Sequence, residues 1–393
     1  MLRIAVIFES SPFDRKGLFN AVHNRILHLK NAGECTVDAY CIHSRDNAIV
    51  RRIRHTQNVP YVETVTIDGI SYRMLWYRFS IMDHLAVTRL HRPPVLFGRF
   101  MDAAASLLDG YDAIVAHSFT GALIARRSHQ ISGVPYFVTW HGSDVHTHPW
   151  KNPMILADTR LIMEDAACNF FVSRALMLAS DKITETARKE VLYNGVSDAF
   201  MRLSEEQRLS LRASYGLMPD EKVVAYVGNL VAVKNVPSLA SVFAEVRRTY
   251  GGKVRFWIVG DGKMRSQAES ALNAEDVRFF GNIPADRMPG LMNCIDVLVL
   301  PSLNEGLPLV CLEALKSGAN AVGSDVGGIL EALGDENVVP LGDGFAEGMA
   351  ARIVTMLEGA VVQEVPSVMD WTRTAAREIQ VISEVSCSLE GEK

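Results

Sequence analysis

Pro301-Ser302-Leu303-Asn304-Glu305-Gly306-Leu307-Pro308-Leu309-Val310-Cys311-Leu312-Glu313-Ala314 follows a short apolar run at residues 295–300. The run reads as a buried strand, Gly306-Leu307-Pro308 as a turn, and the residues beyond it as a helix. A strand that ends in a glycine turn and then opens a helix presents free amides and the positive end of the helix dipole to a ligand. That suits an anion or a polar sugar. Glu305 and Glu313, eight positions apart, offer two carboxylates to the hydroxyl groups of one extended ligand.

Outward from this stretch, short apolar strands alternate with helical segments along the whole chain, the pattern of parallel sheets covered by helices. The second half carries strands at 223–227, 254–259, 277–280, 295–300 and 319–322. The first half carries strands at 2–8, 37–42, 113–116, 136–140 and 169–172, with helices at 18–30, 95–108 and 121–131. Residues 44–92 are irregular and rich in Arg and His. They hold a predicted hairpin, 62–67 with 71–76 across Asp68-Gly69, expected as an antiparallel, peripheral insertion on the first sheet. A polar stretch at 194–220 marks a domain boundary. Trp371, Ala375, Ile379, Ile382 and Val385 recur at intervals of three and four, so the C-terminal stretch is an amphipathic helix expected to cross back onto the first domain. The expected domains are 1–195 with 371–393, and 196–370.

The chain has 393 residues and is 48% hydrophobic and 22% charged, a soluble globular composition long enough for two cores. Residues 1–200 carry a net +3 and the remainder −8, and all 11 histidines fall between His23 and His148. The basic first half fits an anionic or membrane-borne partner. No apolar run approaches a bilayer span, so membrane contact is expected to be peripheral, at the inner face, for a cytoplasmic protein. The six cysteines form no CxxC pair and read as reduced, mostly buried thiols. Nothing points to a nucleic-acid partner.

Glycine turns close several strands. Gly228-Asn229-Leu230 follows the first strand of the second half, and Lys234 lies six residues beyond Gly228, placed to set an ammonium on a diphosphate. A solvated loop lysine is the plainer reading. Gly260-Asp261-Gly262 ends the next strand, and Gly281-Asn282-Ile283 follows the third, with exposed backbone for the edge of a base. Asp325-Val326-Gly327-Gly328 offers either an amide nest or simple helix packing. In the first half Trp140-His141-Gly142 closes a strand, and Gly17 opens the first long helix. His146 and His148 are weak metal candidates on spacing. There is no Asp-x-Asp, no Walker loop and no GxGxxG after the first strand.

Glu305 and Glu313 in Asn-Glu-Gly-Leu-Pro-Leu-Val-Cys-Leu-Glu-Ala resemble the E-x7-E motif of the retaining GT-B glycosyltransferases of family 4. The Gly228–Lys234, Gly260–Gly262, Asp325–Gly328 and Tyr193–Val196 motifs stand in that family's order, and Trp140-His141-Gly142 resembles its N-domain histidine motif. The resemblance implies an α/β protein of GT-B fold, two Rossmann-like doubly wound domains facing across a cleft. It further implies that Lys234 holds the diphosphate, with Gly228, Asn229, Gly260 and Asp261 beside it. Glu313 would take the ribose and the backbone of Asn282 and Ile283 the base. Glu305 and the turn Gly306, Leu307, Pro308 and Leu309, through its N–H groups other than at the proline, would take the donor sugar. His141 would touch the sugar, and Gly17 would serve the acceptor and phosphate side. The family usually has Arg where this chain has Asn229, so phosphate affinity rests more on Lys234, or on Lys263 or Arg265.

The expected activity is metal-independent, retaining transfer from a nucleotide sugar, UDP-linked in preference to GDP-linked, to a glycan or lipid-linked acceptor in polysaccharide or glycoconjugate synthesis. No cofactor is expected. A sugar-nucleotide epimerase, a phosphorylase and a non-catalytic partner subunit are the alternatives on the same scaffold.

Overall fold

The computed structural model describes residues 1–13, 17–46, 48–54, 59–78, 80–89 and 95–391. The chain divides into two compact units, Met1–Asn194 with Asp370–Lys393, and Gly195–Met369.

The first unit is built on eight strands: β1 (Leu2–Glu9), β2 (Cys35–Ser44), β3 (Thr64–Ile67), β4 (Ile70–Tyr77), β5 (Ala113–His117), β6 (Tyr136–Trp140), β7 (Cys168–Phe171) and β8 (Lys189–Val191). Their order is β3-β4-β2-β1-β5-β6-β7-β8. Residues 4–8 of β1 are wholly buried, as expected of a central strand covered on both faces. The order reverses between β1 and β5, and the helix Ser118–Ser132 that follows β5 packs closely on β1. A Cβ at Gly121 would sit 2.6 Å from the Ile7 carbonyl oxygen.

The hairpin across Asp68-Gly69 forms as predicted, with β3 antiparallel to β4. It is not a peripheral insertion, however. β4 runs parallel to β2 over six residue pairs, from Ala39–Tyr72 to Ser44–Tyr77, and only β3 is an antiparallel edge. The turn signal is local and shows the hairpin, whereas pairing with β2 depends on chain some thirty residues away. The rest of residues 44–92 supplies two helices, Ala48–Arg54 and Ile81–Arg89. His55, His91 and Arg92 lie outside the described residues.

The helix Trp371–Gly391 belongs to the first unit. Ala375, Ile379 and Ile382 enter its core beside Phe19, Val22 and Ile26 of the helix Gly17–Asn31. One charge goes in with them: Glu378 is fully buried and its Oε2 accepts from Arg25 Nε at 2.6 Å. Arg377 forks onto Glu190 of β8 at 2.5 and 2.9 Å, and the Thr374 hydroxyl donates to the Tyr193 carbonyl at 2.5 Å.

The second unit has six parallel strands: β9 (Lys222–Val227), β10 (Val254–Val259), β11 (Val277–Gly281), β12 (Val297–Leu300), β13 (Asn320–Ser324) and β14 (Val338–Val339), in the order β11-β10-β9-β12-β13-β14. The order reverses between β9 and β12. β12 begins at Val297 rather than residue 295 because Asp296 is used as an anchor. Its carboxylate accepts from Arg208 at 2.8 Å, Arg212 at 3.0 Å and the Val223 amide at 2.7 Å. The polar helix Glu205–Ser214 therefore clamps the second sheet. Five of the six cysteines are buried and Cys387 is exposed, all of them free. No helix among the described residues is long and apolar enough to cross a membrane.

Removing one member of a buried ion pair strands the other's charge, which typically costs about 3–5 kcal/mol. Glu378→Ala should lower the stability of the first unit by that order in urea unfolding. The double variant Arg25→Met/Glu378→Leu, which removes both charges, should recover most of it.

Candidate functional site

Open parallel sheets bind ligands beyond the carboxyl ends of their strands, at the point where strand order reverses. In the second unit that point lies between β9 and β12. The chain leaves β9 through Gly228 into a 3-10 turn, Ala232–Lys234, and leaves β12 into Ser302–Glu305. The two loops are tied by the Leu303 amide donating to the Val233 carbonyl at 2.8 Å. Lys234 Nζ meets Glu305 Oε1 at 2.5 Å, and the Ser302 hydroxyl donates to the same oxygen at 2.7 Å. The sequence motifs thus bring their lysine and first glutamate into direct contact, on side chains that are both partly buried.

The glycine turns pack around this pair. The Gly228 amide donates to the Val259 carbonyl at 2.9 Å, the Leu230 amide to Asp261 at 3.0 Å, and the Gly260 amide to Gly281 at 2.7 Å. A Cβ at Gly260, whose φ is +123°, would lie 2.0 Å from the Gly228 carbonyl oxygen. Gly327 and Gly328 press the same way on the turn after β12, where Cβ atoms would lie 2.0 and 1.9 Å from the carbonyl oxygens of Glu305 and Gly306. Gly306, Leu307 and Pro308 are buried behind this contact. Leu309 opens the helix Leu309–Lys316, which has no side-chain cap at its start. Its first amides therefore lack a side-chain partner.

Asn229 is exposed and its carbonyl accepts from the Tyr226 hydroxyl at 2.9 Å. Asn282 is exposed and Ile283 half-buried just after β11. Asp261 accepts at 2.7 Å from the Gly262 amide. Arg265 is paired with Glu269 at 2.8 Å and lies 3.6 Å from Asp261, so its charge is largely compensated. Lys263 is exposed.

Glu305 stands before the helix and Glu313 one turn inside it, and Glu313 touches none of the other site side chains through a hydrogen bond. Part of Glu313 reaches solvent, yet enclosure of its carboxyl raises the pKa to about 7. Beneath the turn, burial first and Glu305 second push the Cys311 thiol far up, which leaves it protonated and inert.

In the first unit the reversal between β1 and β5 gathers a second cluster. His141, just after β6, is half-buried. Its amide and that of Gly142 donate to the Asp144 carboxylate at 2.8–3.1 Å. Its Nε2 lies 3.0 Å from Nδ1 of His117, the last residue of β5. Burial, and then the Arg25 charge, lower the His141 pKa to about 3. Burial, His141 and Arg25 lower His117 well below its ordinary range, so both rings are neutral at neutral pH. Glu9 ends β1 and accepts from Tyr77 at 2.7 Å and Thr120 at 2.6 Å. His117, Glu9 and Tyr226 are absent from the sequence reading. Only their place at or near strand ends could have signalled them.

Gly17 begins the helix Gly17–Asn31, where an added Cβ would meet nothing within 4 Å among the described residues, and Asp14–Lys16 before it lie outside the described residues. No group of His, Cys, Asp and Glu among the described residues is arranged to hold a metal ion. His146 Nε2 and His148 Nδ1 are buried without a hydrogen-bond partner.

The chain is similar to known proteins in sequence and in fold. Residues 221–359 match the family model "Glycosyl transferases group 1", and residues 65–195 match "Glycosyl transferase 4-like domain". Both matches are to glycosyl transferase models, and the chain resembles the group 1 glycosyl transferases of GT-B fold. It is 28% identical over 369 residues to the putative teichuronic acid biosynthesis glycosyltransferase TuaC of Bacillus subtilis, covering 90% of this chain and 88% of that protein. It is 27% identical over 241 residues to an uncharacterized glycosyltransferase of Methanocaldococcus jannaschii, covering 58% of this chain and spanning 61% of that relative. Sucrose-phosphate synthase of Thermosynechococcus elongatus superposes with a TM-score of 0.76 at 17% identity, covering 99% of this chain and all of that one. Anabaena HepE, solved in complex with UDP and glucose, superposes at 0.68 and 16% identity over the whole of both chains.

A carboxyl whose folded pKa is raised is neutral when folded but ionised when unfolded between the two pKa values, so its share of stability is lost as pH rises through about 7. Below the unfolded value both states are protonated and the share is fully present. Glu313→Gln should therefore gain stability relative to the parent between about pH 5 and pH 8, read as the difference in urea midpoints at the two pH values.

Proposed function

We propose that this chain is a metal-independent, retaining glycosyltransferase. It moves a sugar from a nucleotide-sugar donor, UDP-linked in preference to GDP-linked, to a glycan or lipid-linked acceptor. The observation that carries the reading is the Lys234–Glu305 contact of 2.5 Å at the reversal point of the second sheet. A diphosphate drawn to the Lys234 ammonium frees the Glu305 carboxylate to accept from sugar hydroxyls. The amides of Gly306, Leu307 and Leu309 stabilise charge on the donor, and Glu313 takes the ribose. As the glycosidic bond breaks toward an oxocarbenium-like state, charge grows on the leaving diphosphate, where fixed donors count most.

HepE, the structural neighbour solved with UDP and glucose, supports a UDP-linked donor. TuaC, with its putative place in teichuronic acid biosynthesis, supports a glycan acceptor and a role in surface polysaccharide synthesis. The relatives compared are named as glycosyltransferases, not as epimerases or phosphorylases. A cytoplasmic enzyme with peripheral contact at the inner membrane face suits the basic helix Ala48–Arg54.

The test is a panel of UDP-, GDP- and ADP-sugars incubated with the protein in EDTA, with free nucleotide as the readout. Release from a UDP-sugar is expected. No release from any donor, with a melting temperature indifferent to nucleotides, overturns the reading. Lys234→Ala should lower kcat/KM by about 10²–10³. Glu305→Gln should slow turnover yet bind UDP more tightly in calorimetry, because the lysine loses its internal counter-charge.

A further inference from the structure

Glu9 closes β1 at the reversal point of the first sheet and has no part in the reaction as proposed. Phe8 pairs with His117 of β5, so Glu9 stands one residue beyond the last pair of the two strands that part there. This is the end at which open parallel sheets take ligands. The residue is half-buried, and its carboxylate is held on both oxygens. Tyr77, the last residue of β4, donates to Oε1 at 2.7 Å, and Thr120, in the first turn of the helix Ser118–Ser132, donates to Oε2 at 2.6 Å. Three segments far apart in sequence thus fix one carboxylate before any ligand arrives.

Both partners are hydroxyls. Other carboxylates of this unit are matched by arginine, Glu378 by Arg25 and Glu190 by Arg377, but no cation pairs with Glu9 among the described residues. A carboxylate only accepts, with about four lone-pair sites on its two oxygens, and the two hydroxyls take one on each. The sites left over suit donors from outside the chain, and two neighbouring hydroxyls of a sugar ring present such a pair.

Tyr77 also brings apolar surface to the carboxylate. Phe97 meets its ring edge-on with centroids 5.1 Å apart, Phe100 lies at 5.5 Å, and the two phenylalanines are 5.7 Å from each other. Both stand on the helix Val95–Ser106 and are half-buried, so part of each reaches solvent. Aromatic side chains around a few fixed polar groups are the usual make-up of a small-molecule site. The electron-rich face of such a ring suits the C–H side of a pyranose, and the carboxylate suits its hydroxyls.

We propose that Glu9, with Tyr77, Phe97 and Phe100 around it, takes the acceptor pyranose, Glu9 accepting from two of its ring hydroxyls. That the bound sugar is the acceptor rests on the proposed function, while the sugar binding itself stands on the geometry around Glu9.

Saturation-transfer difference spectra of the full chain with the methyl glycosides of glucose, galactose and N-acetylglucosamine test it, with excess UDP added to occupy the donor side. Signal on the ring protons of at least one glycoside is expected. In Glu9→Gln the affinity for it should fall by about 10- to 100-fold, the worth of a hydrogen bond to a charged group. Phe97→Ala should weaken it too, and Glu305→Gln in the second unit should leave it unchanged. Melting temperatures establish that each variant is folded, and should Glu9→Gln fail to fold, Phe97→Ala decides. No signal from any of the three glycosides in the wild type overturns the proposal, and so does unchanged affinity in the deciding variant. With the donor found in the nucleotide-sugar panel, the bound glycoside should speed nucleotide release by the wild type but not by Glu9→Gln. Release that the glycoside leaves unchanged overturns its assignment as acceptor. Glycoside binding that depends on Glu9, in a chain that releases nucleotide from no donor, would refute the reaction and leave the sugar site standing.

Discussion

The second unit's site depends on loops lying backbone against backbone. Gly260 rests on the carbonyl of Gly228, and Gly327 and Gly328 rest on those of Glu305 and Gly306. Any side chain at these points would push the loops apart by more than an ångström. The loops of β9, β10, β12 and β13 are thereby held as one layer, and the Lys234–Glu305 pair spans its middle. A close polar contact between two flexible side chains is usually weak, because ordering them costs entropy. Here the loops order both residues in advance, and the Ser302 hydroxyl holds the shared oxygen from a third direction.

The two units solve different electrostatic problems at equivalent places. At the reversal point of the second sheet, full charges face each other and stay partly hydrated. At the reversal point of the first sheet, burial and the Arg25 charge keep two histidines neutral, and the polar groups are joined by hydrogen bonds rather than by charge. A cationic side chain and uncapped amides suit a charged phosphate, whereas neutral donors and acceptors suit the hydroxyls of a sugar.

Much of this was legible in the sequence, because parallel strands buried on both faces leave unbroken apolar runs and their glycine exits stand out. The runs around Val223, Val254 and Ala319 are of this kind, and so are the motifs at Gly228, Gly260 and Glu305. The less legible features share a cause, which is that their partners are distant in the chain. β4 looks like half of a local hairpin because nothing near it signals β2. β8 and β14 hold three and two residues, too few for a period. The apolar run of β5 ends at Ala116, so a reading by hydrophobicity stops one residue short of His117. Glu378 sits inside an apolar stripe and looks like an ordinary polar interruption until Arg25 is seen opposite it.

That pairing also orders events in time. The second unit is continuous in the chain, whereas the first is completed only by a segment that follows the second. As the chain is made, Arg25 lies beside the first sheet with no carboxylate until residue 378 has been synthesised, and the core around Phe19 and Val22 stays uncovered until Ala375, Ile379 and Ile382 arrive. The second unit can therefore finish folding while the first is still open, the reverse of the usual order in which N-terminal domains fold first. One buried charge pair thus ties the first unit to a helix made only after the whole of the second unit.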